Sequence, residues 1–220
     1  MCLILVAWRQ HASCPLVVAA NRDEFHERPA ARAAFWDDRP DVLGGRDLRA
    51  GGTWLAVTRG GRFAAVTNYR GGTEPGAEHS RGALVTHFLA GTDVVALGAQ
   101  KAMYSGFNLL ASDGAKLWWL SNRDSGPREL EPGWYGLGNL LLDSPDVEAH
   151  KERLRHAPLS VEPLFRVLEP ARIVDERYGT RCSTVLMAGG DGIRFAERAY
   201  SRDGAPEMTL RYELSVSRIS

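Results

Sequence analysis

The chain has 220 residues, 44% of them hydrophobic, and 27 Lys plus Arg balance 27 Asp plus Glu to a net charge of zero. That composition excludes general disorder, collagen-like repeats and coiled coil, and its neutrality removes the overall basic field that drives nonspecific nucleic-acid binding, so no nucleic-acid partner is expected. The length predicts one domain over residues 1–220. Three cysteines (Cys2, Cys14 and Cys182) are too few for a disulfide framework and predict a reducing, cytoplasmic setting. No apolar run approaches the roughly 20 residues of a membrane span. The apolar start at Cys2–Trp8 is closed too early by Arg9 and His11 for a signal peptide.

Taken in chain order, Cys2–Trp8 (CLILVAW) and Leu16–Ala20 (LVVAA) are apolar at consecutive positions, the pattern of strands buried on both faces. The short stretch between them suits a hairpin turn. Thr53–Thr58 and Arg62–Thr67 flank Gly60-Gly61, a second hairpin signal. Gly71–Ser80 reads as a surface loop. Ser80 can cap a helix with Leu84, Val85, Phe88 and Leu89 on one face, and a further helix is expected over Asp93–Tyr104. Phe107–Ala111 and Lys116–Leu120 flank Asp113-Gly114, a third hairpin. Asp146–His156 reads as a charged, exposed helix. Ser160 caps another whose stripe is Val161, Leu164, Phe165 and Leu168, with a stop at Pro170. Ser183–Met187 is a buried strand, and Thr209–Val216 alternates Leu210, Tyr212, Leu214 and Val216 inward with Arg211, Glu213 and Ser215 outward. Hairpins outnumber crossovers, and strands apolar on both faces need cover on both. The pattern therefore predicts an α+β fold of two packed, mostly antiparallel sheets with helices on their outer faces.

No phosphate loop, dinucleotide fingerprint, zinc-hydrolase motif, C-x-x-C pair or G-x-S-x-G elbow occurs. Cys2 carries the most information. Methionine removal before a small second residue would leave a chain beginning with cysteine, with a thiol and a free α-amine on one residue. Ordinary values of about 8.5 and about 7.7–8.0 allow the amine to take the thiol proton near neutral pH. Position alone favours the plainer reading, a small hydrophobe opening a buried strand. Antiparallel pairing of the first two strands would bring Cys2 close to Asn21–Asp23, which follow the second strand. There an arginine would favour the thiolate and an aspartate could hold the amine. By itself that stretch also fits a solvated turn with a local salt bridge. Asn68, Asn139 and Arg181 stand at other expected strand ends, where an amide can stabilise an oxyanion. Each asparagine taken singly is also an ordinary turn residue.

Several motifs stand together in order: Met1-Cys2, Asn21-Arg22-Asp23-Glu24-Phe25, Arg28-Pro29, Gly45-Arg46-Asp47-Leu48, Gly51-Gly52-Thr53-Trp54-Leu55, Thr67-Asn68, Ser80-Arg81-Gly82 and Tyr178-Gly179-Thr180-Arg181. This set resembles the NRDE family, also called the transport and Golgi organisation protein 2 family, over nearly the whole chain. The resemblance implies an N-terminal-nucleophile (Ntn) hydrolase-like fold, a four-layer αββα sandwich akin to bile-salt hydrolases and penicillin V acylases, which cleave C–N amide bonds. By that likeness Cys2 is the nucleophile and Arg22 and Asp23 set it up. Asn139 helps bind the oxyanion and Arg181 sits beside the thiol, while Asn68 and Asn21 are candidate substrate-binding residues. Gly138 precedes Asn139 where the family pattern has Ser or Thr.

Two functional classes follow. The first is an amidohydrolase of a small-molecule, non-peptide amide, needing no metal or other cofactor. The second is a haem-trafficking or amphipathic-ligand carrier that uses the same site without turnover, as a hydrolase fold can host a binding function.

Overall fold

A computed structural model describes residues 2–70 and 77–215. Thirteen strands and four helices among them form two compact units. The first comprises residues 1–28, 132–138 and 143–220; the second comprises 29–131 and 139–142.

In the first unit, β1 (Leu3–Trp8), β2 (Leu16–Phe25), β10 (Gly133–Leu137), β11 (Tyr178–Gly189), β12 (Gly192–Tyr200) and β13 (Pro206–Leu214) form one sheet in the order β10-β1-β2-β11-β12-β13, every pair antiparallel. Period-two alternation sorts its side chains. Leu3, Leu5, Ala7, Val17, Ala19, Val185 and Met187 pack against Leu154 of α3 (Glu148–Arg155) and Leu164, Phe165 and Leu168 of α4 (Val161–Leu168). Each large apolar side chain buried this way contributes about 1.5–3 kcal/mol. Ile4, Val6, Val18 and Ala20 on the opposite face are buried too, as the uninterrupted apolar runs require.

The second unit holds β3 (Ala30–Trp36), β4 (Arg39–Asp47), β5 (Leu55–Thr58), β6 (Phe63–Asn68), β7 (Phe107–Ser112), β8 (Leu117–Ser121) and β9 (Arg128–Glu129) as an antiparallel meander in chain order. Ala56, Ala64, Leu109 and Ala111 pack against Leu84, Val85 and Phe88 of α1 (Arg81–Leu89) and Leu97 of α2 (Val94–Ala99). Gly61 and Gly114 close the two tight hairpins at positive φ (86° and 92°), where a Cβ would be strained.

The α+β class with two antiparallel sheets is therefore the one expected, but several elements differ from the sequence reading. The helix expected over Asp93–Tyr104 ends at Ala99 and is followed by a 3₁₀ turn, Lys101–Met103. Ser80 and Ser160 stand at the cap positions of α1 and α4, but neither side chain makes a capping bond. The helix expected to be exposed is so for most of its residues, but it buries Lys151, which pairs with carboxylates that remain open to solvent. Lys151 Nζ lies 3.0 Å from Asp143 Oδ1 and 2.8 Å from Glu148 Oε2, and the Asp143 carboxylate also accepts the Gly136 N–H at 2.9 Å. This clasp holds Asp143 at φ 57°, a left-handed value seldom adopted by residues other than glycine. The alternation of the last strand is seen through Leu214. Val216 and most of the expected loop (residues 71–76) lie outside the described residues.

Candidate functional site

The hairpin of β1 on β2 pairs Leu3 with Asn21, which brings Cys2 to the end of β2 that carries the polar run. That run does not leave the sheet after Ala20 as expected. β2 continues to Phe25 because β11 pairs with it along the whole stretch, from Tyr178 opposite Phe25 to Ala188 opposite Leu16. Asn21, Arg22 and Asp23 are consequently buried, at 2%, 7% and 4% exposure.

Cys2 is partly exposed and engages the Asp23 peptide in both directions. Its Sγ donates to the Asp23 carbonyl at 3.3 Å and accepts the Asp23 N–H at 3.4 Å. Burial, then the Asp23 charge, push the thiol up from 9.0 to about 11, outweighing the Asp23 hydrogen bond, the amino terminus of the chain and the Arg22 guanidinium, which act downward. The positive surroundings expected to favour the thiolate are thus present in Arg22 but do not prevail. Asp23 Oδ1 accepts the Thr180 hydroxyl at 2.6 Å, and Thr180 Oγ1 in turn accepts the Ile173 N–H at 2.8 Å. Arg22 Nη2 lies 3.9 Å from Glu24 Oε2.

Arg181 occupies a β-bulge. Thr180 pairs with Asp23 and Cys182 with Arg22, so Arg181 has no opposite number. Its Nη1 donates to the carbonyls of Phe25, His26 and Arg28, gathering the turn after β2, and burial followed by the nearby Arg22 hold its guanidinium below the ordinary value. The arginine that acts on the Cys2 thiol is Arg22. Asn21, a candidate substrate-binding residue, is buried and hydrogen-bonded to its neighbours. Its Nδ2 donates to the Leu168 carbonyl at the end of α4 (3.1 Å), and its Oδ1 accepts the Ser183 hydroxyl (2.6 Å).

Asn68 and Asn139 are brought together in the second unit. Asn139 Nδ2 donates to the Asn68 carbonyl at 2.7 Å, and the Arg70 N–H donates to the Asn139 carbonyl at 2.6 Å. Asn108, buried in β7, ties the same segment through Nδ2 to the Leu140 carbonyl at 2.8 Å.

Two residues at the thiol were not singled out from the sequence. Thr180 holds the Asp23 carboxylate, and Tyr178 donates its hydroxyl to the Asp23 carbonyl at 3.2 Å. Both stand in the Tyr178–Arg181 motif, two residues apart on a strand and so on one face. That spacing was the available signal, but without knowledge of the strand it faced it named no partner.

A partly exposed cysteine at position 2, with a buried arginine and aspartate at the paired end of the next strand, stands on an α+β frame of two antiparallel sheets, the frame of an Ntn-hydrolase-like fold. A solved structure of the Caenorhabditis elegans N-acylethanolamine-hydrolyzing acid amidase ortholog matches with a TM-score of 0.54 at 12% identity, covering 84% of this chain and 92% of that one. The model of the Transport and Golgi organisation 2 family matches residues 1–162. The Homo sapiens Transport and Golgi organization protein 2 homolog is 32% identical and the Mus musculus homolog 39%, each over 91% of this chain and 92% of the relative. The Drosophila melanogaster Transport and Golgi organization protein 2 is 32% identical over 69% of this chain. The chain belongs to the Transport and Golgi organisation 2 family.

Proposed function

We propose that the protein is an Ntn-type cysteine amidohydrolase that cleaves a non-peptide C–N amide bond. The observation that carries this reading is the two-way engagement of Cys2 Sγ with the Asp23 peptide, next to the buried Arg22. It places a thiol with defined orientation on the residue that methionine removal would make the N-terminus. The likeness in fold to a structure titled as an amide-hydrolysing enzyme supports the same class. With its proton bound up to about pH 11, the thiol of the unprocessed chain is a weak nucleophile, about one part in 10,000 thiolate at pH 7. The reading therefore requires loss of Met1, which frees an α-amine on the same residue.

In the proposed reaction the amine takes the Cys2 proton while Sγ attacks the amide carbon. Collapse of the tetrahedral adduct expels the amine product, which leaves with that proton. Water then attacks the thioester, releasing a carboxylic acid and restoring the thiol. Asp23, fixed by Thr180, is the anchor for the amine in its charged form.

The test is intact mass of protein purified without an N-terminal tag, followed by a panel of N-acyl amides. Loss of methionine, a mass increase equal to an acyl group on Cys2 and turnover abolished by Cys2→Ala are expected. Retained methionine throughout would end the amine-as-base mechanism. Saturable haem binding with no hydrolysis of any amide would favour the carrier reading, for which the protonated thiol is no handicap.

A further inference from the structure

Tyr178 stands at the start of β11, opposite Phe25 at the end of β2. Its hydroxyl donates to the Asp23 carbonyl at 3.2 Å, and the Cys2 thiol donates to the same oxygen at 3.3 Å. One carbonyl therefore serves two donors, only one of which keeps its proton when the thiol ionises. The tyrosine ring also makes an edge contact with Phe25, with ring centroids 5.2 Å apart at 76°.

We infer that Tyr178 is a positioning residue for Cys2, acting through the Asp23 carbonyl to let the thiolate form against it. A thiolate at Sγ loses its donor bond and faces the negative end of a carbonyl dipole about 3.3 Å away. A second donor already on that oxygen withdraws part of its negative charge and keeps it satisfied in a buried setting, where an unpaired acceptor costs about 1–3 kcal/mol. The phenol is suited to this because it holds its proton more tightly than an ordinary tyrosine. Burial first, then the charges of Cys2, Asp23 and Glu24, push its ionisation up, against a smaller downward effect of Arg22. The charges acting on the thiol are Asp23 and Arg22 from β2 and the amino terminus of the chain, and Tyr178 from β11 also feels Glu24. Of these, the amino terminus, Arg22 and the tyrosine hydroxyl favour ionisation. The inference deepens the nucleophile role proposed for Cys2 and rests on it.

The experiment is the rate of Cys2 alkylation by iodoacetamide from pH 7 to 12, a range that brackets the thiol's value of about 11, read by peptide mapping on the full chain with its N-terminus defined by intact mass. Tyr178→Phe removes only the hydroxyl. The midpoint of the rate–pH curve should move up by about half a unit to one unit, so that at fixed lower pH labelling slows roughly three- to tenfold. Phe25→Leu keeps the hydroxyl and should retain the wild-type midpoint. Should Tyr178→Phe fail to fold, 3-fluorotyrosine placed at position 178, with the same shape and a stronger donor, should move the midpoint down. An unchanged midpoint in Tyr178→Phe, or in the fluorotyrosine protein if that is the one measured, would overturn the inference. So would an equal upward shift in Phe25→Leu, which would trace the effect to ring packing. Failure of the amidase reading would show differently, as absence of acyl-enzyme and turnover with the labelling shift intact.

Discussion

Asp23 has two opposed effects on Cys2 that one substitution separates. Its negative charge is the second cause, after burial, of the rise of the thiol from 9.0 to about 11, while its backbone holds Sγ from both sides. Asp23→Asn removes the charge and leaves the backbone. The amide oxygen can still accept the Thr180 hydroxyl that Oδ1 accepts at 2.6 Å. Burial supplies the larger part of the two-unit rise, so the charge accounts for a minor share, and its removal should speed Cys2 alkylation below pH 9 by about three- to tenfold. Turnover of any amide should fall at the same time, because the α-amine loses its anionic anchor. The two buried hydrogen bonds survive, so stability should change by about 1 kcal/mol or less, a shift of about 2–4 °C for a chain of this size. Iodoacetamide labelling on protein of known N-terminus, with thermal melts of the same preparations, checks all three. Alkylation that slows or stays constant in Asp23→Asn would refute the electrostatic account. A melting loss well beyond that range would make Asp23 primarily a structural partner of Thr180.

Cys2 should label first among the three thiols in the native protein, because it is partly exposed whereas Cys14 and Cys182 are buried. Time-resolved peptide mapping showing Cys14 ahead of Cys2 would contradict the geometry. Lys151→Met should destabilise the first unit by about 1–3 kcal/mol, discounted because Asp143 and Glu148 are partly exposed, and lower the melting temperature by roughly 3–10 °C. Burial pulls the Lys151 ammonium down, but its hydrogen bonds to Glu148 and Asp143 outweigh this, so its value is raised above 10.5. The pair's contribution is therefore complete below about pH 10.5 and is lost as pH rises through the folded value, so wild type and Lys151→Met should converge in alkaline melts. Ser183→Ala should cost about 1–2 kcal/mol by removing the donor to Asn21 Oδ1, checked by urea unfolding.

The strands and turns that could be read from the sequence were those whose signal is local. The apolar runs at Leu3–Trp8 and Leu16–Ala20, and the glycine turns at Gly61 and Gly114, carry their pairing in a window of a dozen residues. The ends of one hairpin must meet, so the approach of Cys2 to Asn21–Asp23 followed from the sequence alone. Strands β3 and β4 escaped notice because the alanines of β3 and the proline, aspartates and glycines of β4 have weak β-propensity, and only neighbours in the sheet hold them extended. At the site, the decisive contacts join residues about 155 positions apart. Pairing with β11 keeps β2 extended through Phe25 and buries Asn21–Asp23, and the bulge at Arg181 turns that guanidinium to the carbonyls of the following turn. The same pairing sets Tyr178 and Thr180 on Asp23. Sequence spacing names the nucleophile and its charged neighbours. Whether the thiol is ionised depends on the balance of burial and the Asp23 charge against Arg22 and the Asp23 backbone hydrogen bond, and burial is a property of the assembled sheet that no local stretch of the chain encodes.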